Sequence, residues 1–202
     1  MAEVRPMTAG DLGFAAELTA GEGWASGRSD FQLYLEHDPD GCFTALEGGR
    51  RLGMVTTTRY PASAWIGNLI VVPEHRSRGV GRALLEHGLR HLESAGIRTV
   101  RLDGDPPGIP LYRSLGFIDE WESLRFRSVG GRLDRPQRVT DLKPDDLDAV
   151  AALDRTVFGD DRSRMLRLFL DRAEQAIAVK DGVELAGHAM VVRTDRGLRV
   201  GP

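Results

Sequence analysis

Residues 76–84 read RSRGVGRAL, two glycines set among three arginines, directly after the apolar run Asn68–Val72 and Pro73. The segment Ala64–Val72 (AWIGNLIVV) reads as a largely buried strand, and Gly67 inside it marks a bulge or a close backbone approach. From Gly79 the period becomes helical. Ala83, Leu84, Gly88, Leu89 and Leu92 share one face, while Arg82, Glu86 and Arg90 form an i,i+4 ladder on another. Gly96 caps that helix and Ile97–Leu102 resumes as a strand. Strand, helix, strand predicts a parallel pair joined by a right-handed crossover.

Upstream, Thr8-Ala-Gly-Asp11 has capping-box spacing before an apolar-periodic stretch through Leu18. A second short helix is predicted over Phe31–Glu36, and a meander over Cys42–Leu46 and Leu52–Tyr60. Downstream, Pro110–Leu115 reads as a short helix stopped by Gly116, with a strand expected from Phe117 onward. The polar stretch Ser128–Gln137 (SVGGRLDRPQ) reads as a linker. The fold class is therefore α/β.

Beyond that linker the chain begins again. Val4, Asp11, Leu12, Ala16 and Leu18 match Val139, Asp146, Leu147, Ala151 and Leu153. CFTALEGGRRLGMV at 42–55 then parallels AIAVKDGVELAGHA at 176–189, and WIGN at 65–68 falls on RVGP at 199–202. A steady offset with few identities is the sign of a repeated unit. Domains are expected at 1–127 and 138–202, joined by 128–137. The second, partial unit has no counterpart of RSRGVGRAL and is expected to bind no cofactor. Its open strand edge needs cover, from the first domain or by exchange in a homodimer.

Composition narrows the function classes. Net charge is −3, from 27 basic and 30 acidic residues, so no global basicity points to nucleic acid. No segment approaches the ~20 apolar residues of a membrane span. The N-terminal MAEVRPMTAGDL lacks a signal peptide's apolar stretch, and the single Cys42 excludes an internal disulfide. A soluble cytoplasmic protein is expected.

Several motifs compete for Gly79-Val80-Gly81. A dinucleotide fingerprint needs a third small residue where Leu84 stands, and a P-loop needs Gly-Lys-Ser/Thr. A plain strand-to-helix turn would need glycine as well. Context separates them. Arg76-x-x-Gly79-x-Gly81, preceded by VPEH and followed by RALLEH, resembles the acetyl-CoA-binding motif of the GNAT N-acetyltransferase superfamily. LYRSLGF at 111–117 looks like that superfamily's LYxxLGF signature, about thirty residues on, and the doubled arrangement looks like a tandem GNAT protein. The resemblance implies a GNAT fold over 1–127, a mixed, mostly antiparallel sheet with a splayed parallel pair at the cofactor site. It also implies acetyl-CoA as cofactor and an N-acetyltransferase acting on a primary amine of a small molecule or peptide.

The physical requirements of that cofactor agree. A pyrophosphate needs several N–H donors converging at a helix N-terminus, where the dipole adds positive potential. Ser77, Arg78, Gly79, Val80, Gly81 and Arg82 would offer amides, and Arg76 with its neighbours would add charge. The free edge of a splayed strand at Leu69, Ile70 and Val71 would pair with the pantetheine amides. Tyr112 matches the family's usual general acid. Its phenol, of pKa ~10, can donate toward a thiolate whose conjugate acid lies near ~8.5. Glu74, Asp103 and Asp105 are the carboxylates nearest the site by position, and none is singled out as the base. Where many relatives carry Asn seven residues before the tyrosine, this chain has Asp105, which cannot donate a hydrogen bond as an amide can.

Weaker candidates surround the motif. HGLRH at 87–91 lacks the glutamate of HExxH, so His87 and His91 are read as a solvated helix face and no metal is expected. Trp24, Tyr60 and Trp65 could line an acceptor pocket or fill a core, and Cys42 in an apolar strand reads as inert. The alternative to an enzyme is a non-catalytic acetyl-CoA sensor or interaction protein on the same fold. Retention of Tyr112 favours the enzyme.

Overall fold

The computed structural model describes residues 2–129, 138–194 and 197–201. The first unit runs β1 (Glu3–Pro6), α1 (Leu12–Gly21), α2 (Arg28–His37), β2 (Cys42–Glu47), β3 (Arg50–Arg59), β4 (Ser63–Val71), α3 (Val80–Ser94), β5 (Thr99–Leu102) and α4 (Ile109–Ser114). Its sheet has the order β1-β2-β3-β4-β5. Only β4–β5 is parallel, because α3 carries the chain back across the sheet between them.

Alternation in the strands gives each face of the sheet its own helical cover. Phe43, Ala45, Val55 and Ile66 pack with Val80, Leu84, Leu85 and Leu92 of α3. On the opposite face Cys42, Met54 and Ile70 pack with Met7, Leu12, Ala15 and Phe31 under α1 and α2. Leu84 is fully buried at the centre of the α3 layer, where truncation to Ala costs about 2–5 kcal/mol. The two histidines depart from expectation. His87 and His91 both stand edge-on to Phe43, at 4.6 and 5.2 Å, so this flank of α3 is packed rather than solvated. Among the described residues no trio of His, Cys, Asp or Glu could hold a metal.

The strand expected from Phe117 onward is absent. Residues 117–129 form no ladder, and Ile118 (84% exposed) and Phe126 (91%) stand in solvent. Side-chain contacts tether the segment, among them Arg101–Glu120 at 3.0 Å and Arg113–Asp119 at 2.6 Å. A segment becomes a strand only where a neighbour offers a ladder, and among the described residues β5 pairs with β4 alone. Most of the linker stretch, residues 130–137, lies outside the described residues.

The second unit repeats the first up to its fourth strand. It runs β6 (Val139–Asp141), α5 (Leu147–Phe158), α6 (Ser163–Leu170), β7 (Gln175–Asp181), β8 (Glu184–Thr194) and β9 (Gly197–Gly201), in an antiparallel sheet ordered β6-β7-β8-β9. The register repeats residue by residue. Ala45 faces Gly53, and Val179 faces Gly187; each pair is followed by a bulge, at Ala45/Leu46 and Val179/Lys180. Thr58 faces Trp65, and Val192 faces Arg199. The unit packs on the first: Asp160 Oδ2 accepts from Ala62 N–H at 3.0 Å and Ser63 Oγ at 2.8 Å, and Phe158 meets Tyr60 edge-on.

Candidate active site

β4 pairs with β5 only from Ser63 to Ile66, opposite Thr99 to Leu102. Beyond that point the two strands part, and the gap between them opens a cleft of about 600 Å³. The sequence leads to a bulge inside β4. It falls one residue later than expected: Gly67 stays paired with Thr56, while Asn68 takes φ +50° and the ladder resumes at Ile70–Met54. Asn tolerates the left-handed region better than other non-glycine residues, and its amide donates to Thr56 Oγ1 at 3.0 Å. Asn68 lines the cleft and was not singled out from the sequence, although an Asn inside an apolar strand is a signal of this kind.

The floor at the phosphate end is the turn into α3. Ser77 and Gly79 have φ of +60° and +82°, and Gly79 is the N-cap of the 15-residue helix. The first i→i−4 bond of α3 is Ala83 N–H to Gly79 C=O, so the amides of Val80, Gly81 and Arg82 have no partner within the helix. A Cβ on Gly79 would meet no atom within 4 Å, so glycine is required there by the dihedral angle, which a β-branched residue adopts only with strain.

Eight of the ten expected cofactor residues line the cleft: Leu69, Ile70, Val71, Arg76, Ser77, Gly79, Gly81 and Arg82. Arg78 does not line it and points to solvent; the Val80 side chain is in the core, leaving only its amide to serve. The arginines are held in place beforehand. Arg76 Nε donates to Val71 C=O at 3.0 Å and its guanidinium pairs with Glu22. Arg82 donates to Ser114 Oγ at 2.6 Å and to Glu86 at 3.2 Å, tying α3 to α4.

Tyr112 reaches the cleft from α4, with its ring edge-on to Phe117. The ring lies over the DGDPPG turn so closely that a Cβ on Gly108 would stand 2.9 Å from the phenol oxygen. Burial, and then the nearby Asp105 carboxylate, push the phenol above its ordinary value, so the hydroxyl holds its proton throughout neutral pH. Asp103 and Asp105 both line the cleft; Glu74 does not. The three aromatics weighed as acceptor contacts are dispersed. Trp24 lines the cleft beside Glu22, Trp65 lines a neighbouring hollow behind β5, and Tyr60, half-buried, meets Phe158 of the second unit. Cys42 is fully buried and its thiol is pushed up to about 12 by burial and then by Asp38, so it is inert.

The unpaired edge, the left-handed cradle with amides unpartnered within the helix and the two fixed arginines suit an elongated ligand with an amide-bearing arm joined to a pyrophosphate, which fits coenzyme A.

Comparison with known proteins agrees. Residues 14–117 match the acetyltransferase (GNAT) family, and residues 150–202 match an acetyltransferase (GNAT) domain. An uncharacterized N-acetyltransferase of Bacillus subtilis, YitH, is 27% identical over 144 residues, covering 68% of this chain and 49% of that protein. The mycothiol acetyltransferase of Nocardiopsis dassonvillei is 42% identical over 93 residues, 40% of this chain and 28% of that protein. The chain thus spans about half or less of the length of these relatives. A Pyrococcus horikoshii structure named as a candidate acetyltransferase superposes with a TM-score of 0.85 at 26% identity, covering all of this chain and 70% of that one. A Clostridium acetobutylicum protein crystallised with acetyl-CoA shares the fold at a TM-score of 0.52 and 17% identity, over 63% of this chain and 96% of that one. No helix among the described residues is long and apolar enough to cross a membrane. With a family match over more than half of its length, the chain belongs to the GNAT acetyltransferase family.

Proposed function

We propose that the first unit transfers the acetyl group of acetyl-CoA to a primary amine by direct attack in a ternary complex. The observation that carries this reading is the parting of β4 from β5 after Ile66–Leu102, which puts a strand edge, a cradle of helix amides and one phenol on a single cleft. Bound there, acetyl-CoA supplies an activated thioester whose aminolysis expels a thiolate.

The chain's residues divide the work. The amides at Val80, Gly81 and Arg82, with the α3 dipole, hold the diphosphate; Arg76 and Arg82 add charge at its rim. The edge at Leu69–Val71 aligns the pantetheine arm as an added strand. Tyr112 donates its proton to the departing thiolate. At its ordinary pKa that transfer is uphill by about 1.5 units, or ~2 kcal/mol, and the raised value adds to this, so the phenol works as an acid only in concert with thiolate departure. Asp103 and Asp105 stand at the acceptor end, where the amine must shed a proton before attack.

Calorimetry with acetyl-CoA, followed by a free-thiol release assay over a panel of amines, tests the reading. Binding followed by release on at least one amine is expected. Binding without release on any amine would make the chain a sensor instead, and no binding would remove coenzyme A from the site altogether.

A further inference from the structure

We propose that the second unit keeps the cofactor cleft in shape through α2, with Arg199 as a positioning residue that acts through Asp30, Tyr34 and Asn68; this rests on the cleft being the acetyl-CoA site. α2 has only ten residues, too short to hold a position by helix propensity, so its tertiary contacts set where it lies. Three arginines of the second unit grip it. Arg199 of β9 donates to Asp30 Oδ1 at 2.5 Å. Arg164 of α6 donates to the Glu36 carbonyl at 2.8 Å, and Arg172 to the Glu36 carboxylate at 2.6 Å. Both ends of α2 are thus held from outside the first unit.

The Arg199 contact leads to the cleft. Asp30 already accepts the Gly27 N–H at 2.8 Å, so one carboxylate closes the first turn of α2 and anchors it to β9. One turn later Tyr34 is half-buried, packed edge-on to Phe31 against the cluster that holds Ile70, and its phenol meets the Asn68 side chain; burial and then Asp30 raise that phenol while Arg199 opposes them. Asn68 is the left-handed residue of the β4 bulge, directly before Leu69–Val71. A non-glycine residue in that region costs about 1–3 kcal/mol and persists only where its surroundings over-determine it. Thr56 Oγ1 on one side and Tyr34 on the other do so. The bulge turns the strand edge toward the cleft, so loosening α2 loosens the edge. Wall residues Glu22 and Trp24 lie on the connection into α2 and would shift with it.

Acetyl-CoA affinity, measured by calorimetry on the full chain, tests the link. Tyr34→Phe is expected to raise Kd about tenfold and Arg199→Ala about three- to fivefold, with Arg199→Lys within about twofold of the parent protein. Lys180→Ala removes an ion pair with Asp146 inside the second unit and is expected to lower Tm without moving Kd. Folded Tyr34→Phe and Arg199→Ala proteins that bind acetyl-CoA as tightly as the parent would overturn the link and leave the site reading standing. A parent protein that binds no acetyl-CoA would overturn the site reading, and the link with it.

Discussion

The two units share one plan over four strands and two helices, yet equivalent positions do different work in each. Each opens with a strand, a 3-10 turn ending in an aspartate, two helices and a bulged hairpin, in the same register. The aspartates show how equivalent positions come to differ. Asp11 is fully buried and accepts from Thr8 N–H (2.8 Å), Arg5 (2.8 and 3.0 Å) and Arg51 (2.6 Å). Burial opposes its ionisation, yet the two guanidinium groups and the backbone amide hold the carboxyl far below the usual range. Asp146, partly exposed, accepts from Lys143 N–H at 2.9 Å and from Lys180 at 3.1 Å. A local capping rule built both turns, and the first unit alone made its copy a buried hub. Past its fourth strand, which carries Asn68, the first unit continues into the glycine cradle, α3 and a parting β5. The cleft opens where the fourth strand of the shared plan meets the cradle and β5, so both parts line it.

The sharpest way to break this division is at Tyr112. Tyr112→Phe is expected to lower turnover by about 10²–10⁴ while acetyl-CoA Kd stays within about twofold. Unchanged turnover in a thiol-release assay would remove the phenol from the mechanism. Gly79→Val comes next. A branched residue at φ +82° must distort the cradle, so calorimetric affinity for acetyl-CoA is expected to fall at least about tenfold while circular dichroism remains native.

The aspartates test the scaffold. Asp11→Asn leaves two guanidinium groups without their carboxylate and is expected to cost about 2 kcal/mol in urea unfolding, and Asp146→Asn much less. Equal losses would mean that the hub at Asp11 adds nothing to the cap.

The smallest effect concerns pH at the contact between units. Burial works to raise the Asp160 carboxyl, but Ser63 and the amides of Asp161 and Ala62 outweigh it, so its folded value lies below 3.8. The contribution of a group depressed in this way is complete above about pH 4 and fades as pH falls through the folded value. Protection of the Tyr60, Ala62 and Ser63 amides against hydrogen exchange, relative to the unstructured chain at the same pH, should therefore fall only below about pH 4, and Asp160→Asn should remove that dependence.

Much of this was legible beforehand because it is local or periodic. RSRGVGRAL between a strand and a helical pattern marks a turn that needs glycine backbone angles, and the offset repeat marks a second sheet of the same register. The LYRSLGF spacing put Tyr112 on the cleft wall. Reading along the chain failed where the outcome depends on a neighbour. The chain from Phe117 onward reads as a strand in element order, yet residues 117–129 find no ladder. His87 and His91 look solvated by their spacing, but the sheet brings Phe43 beneath them. Asn68 lacks the glycine signature of a bulge, and Glu22 and Trp24 enter the cleft only because α1 and α2 cover that end of β4.

The sequence by itself determined the strand–cradle–helix unit, the repeat and the phenol, since each depends on backbone angles or spacing over a few residues. Tertiary structure alone decided how far β4 and β5 stay paired, which side chains line the gap and how three arginines of one unit grip a helix of the other. Those outcomes depend on distances between segments far apart in the chain, which spacing does not encode.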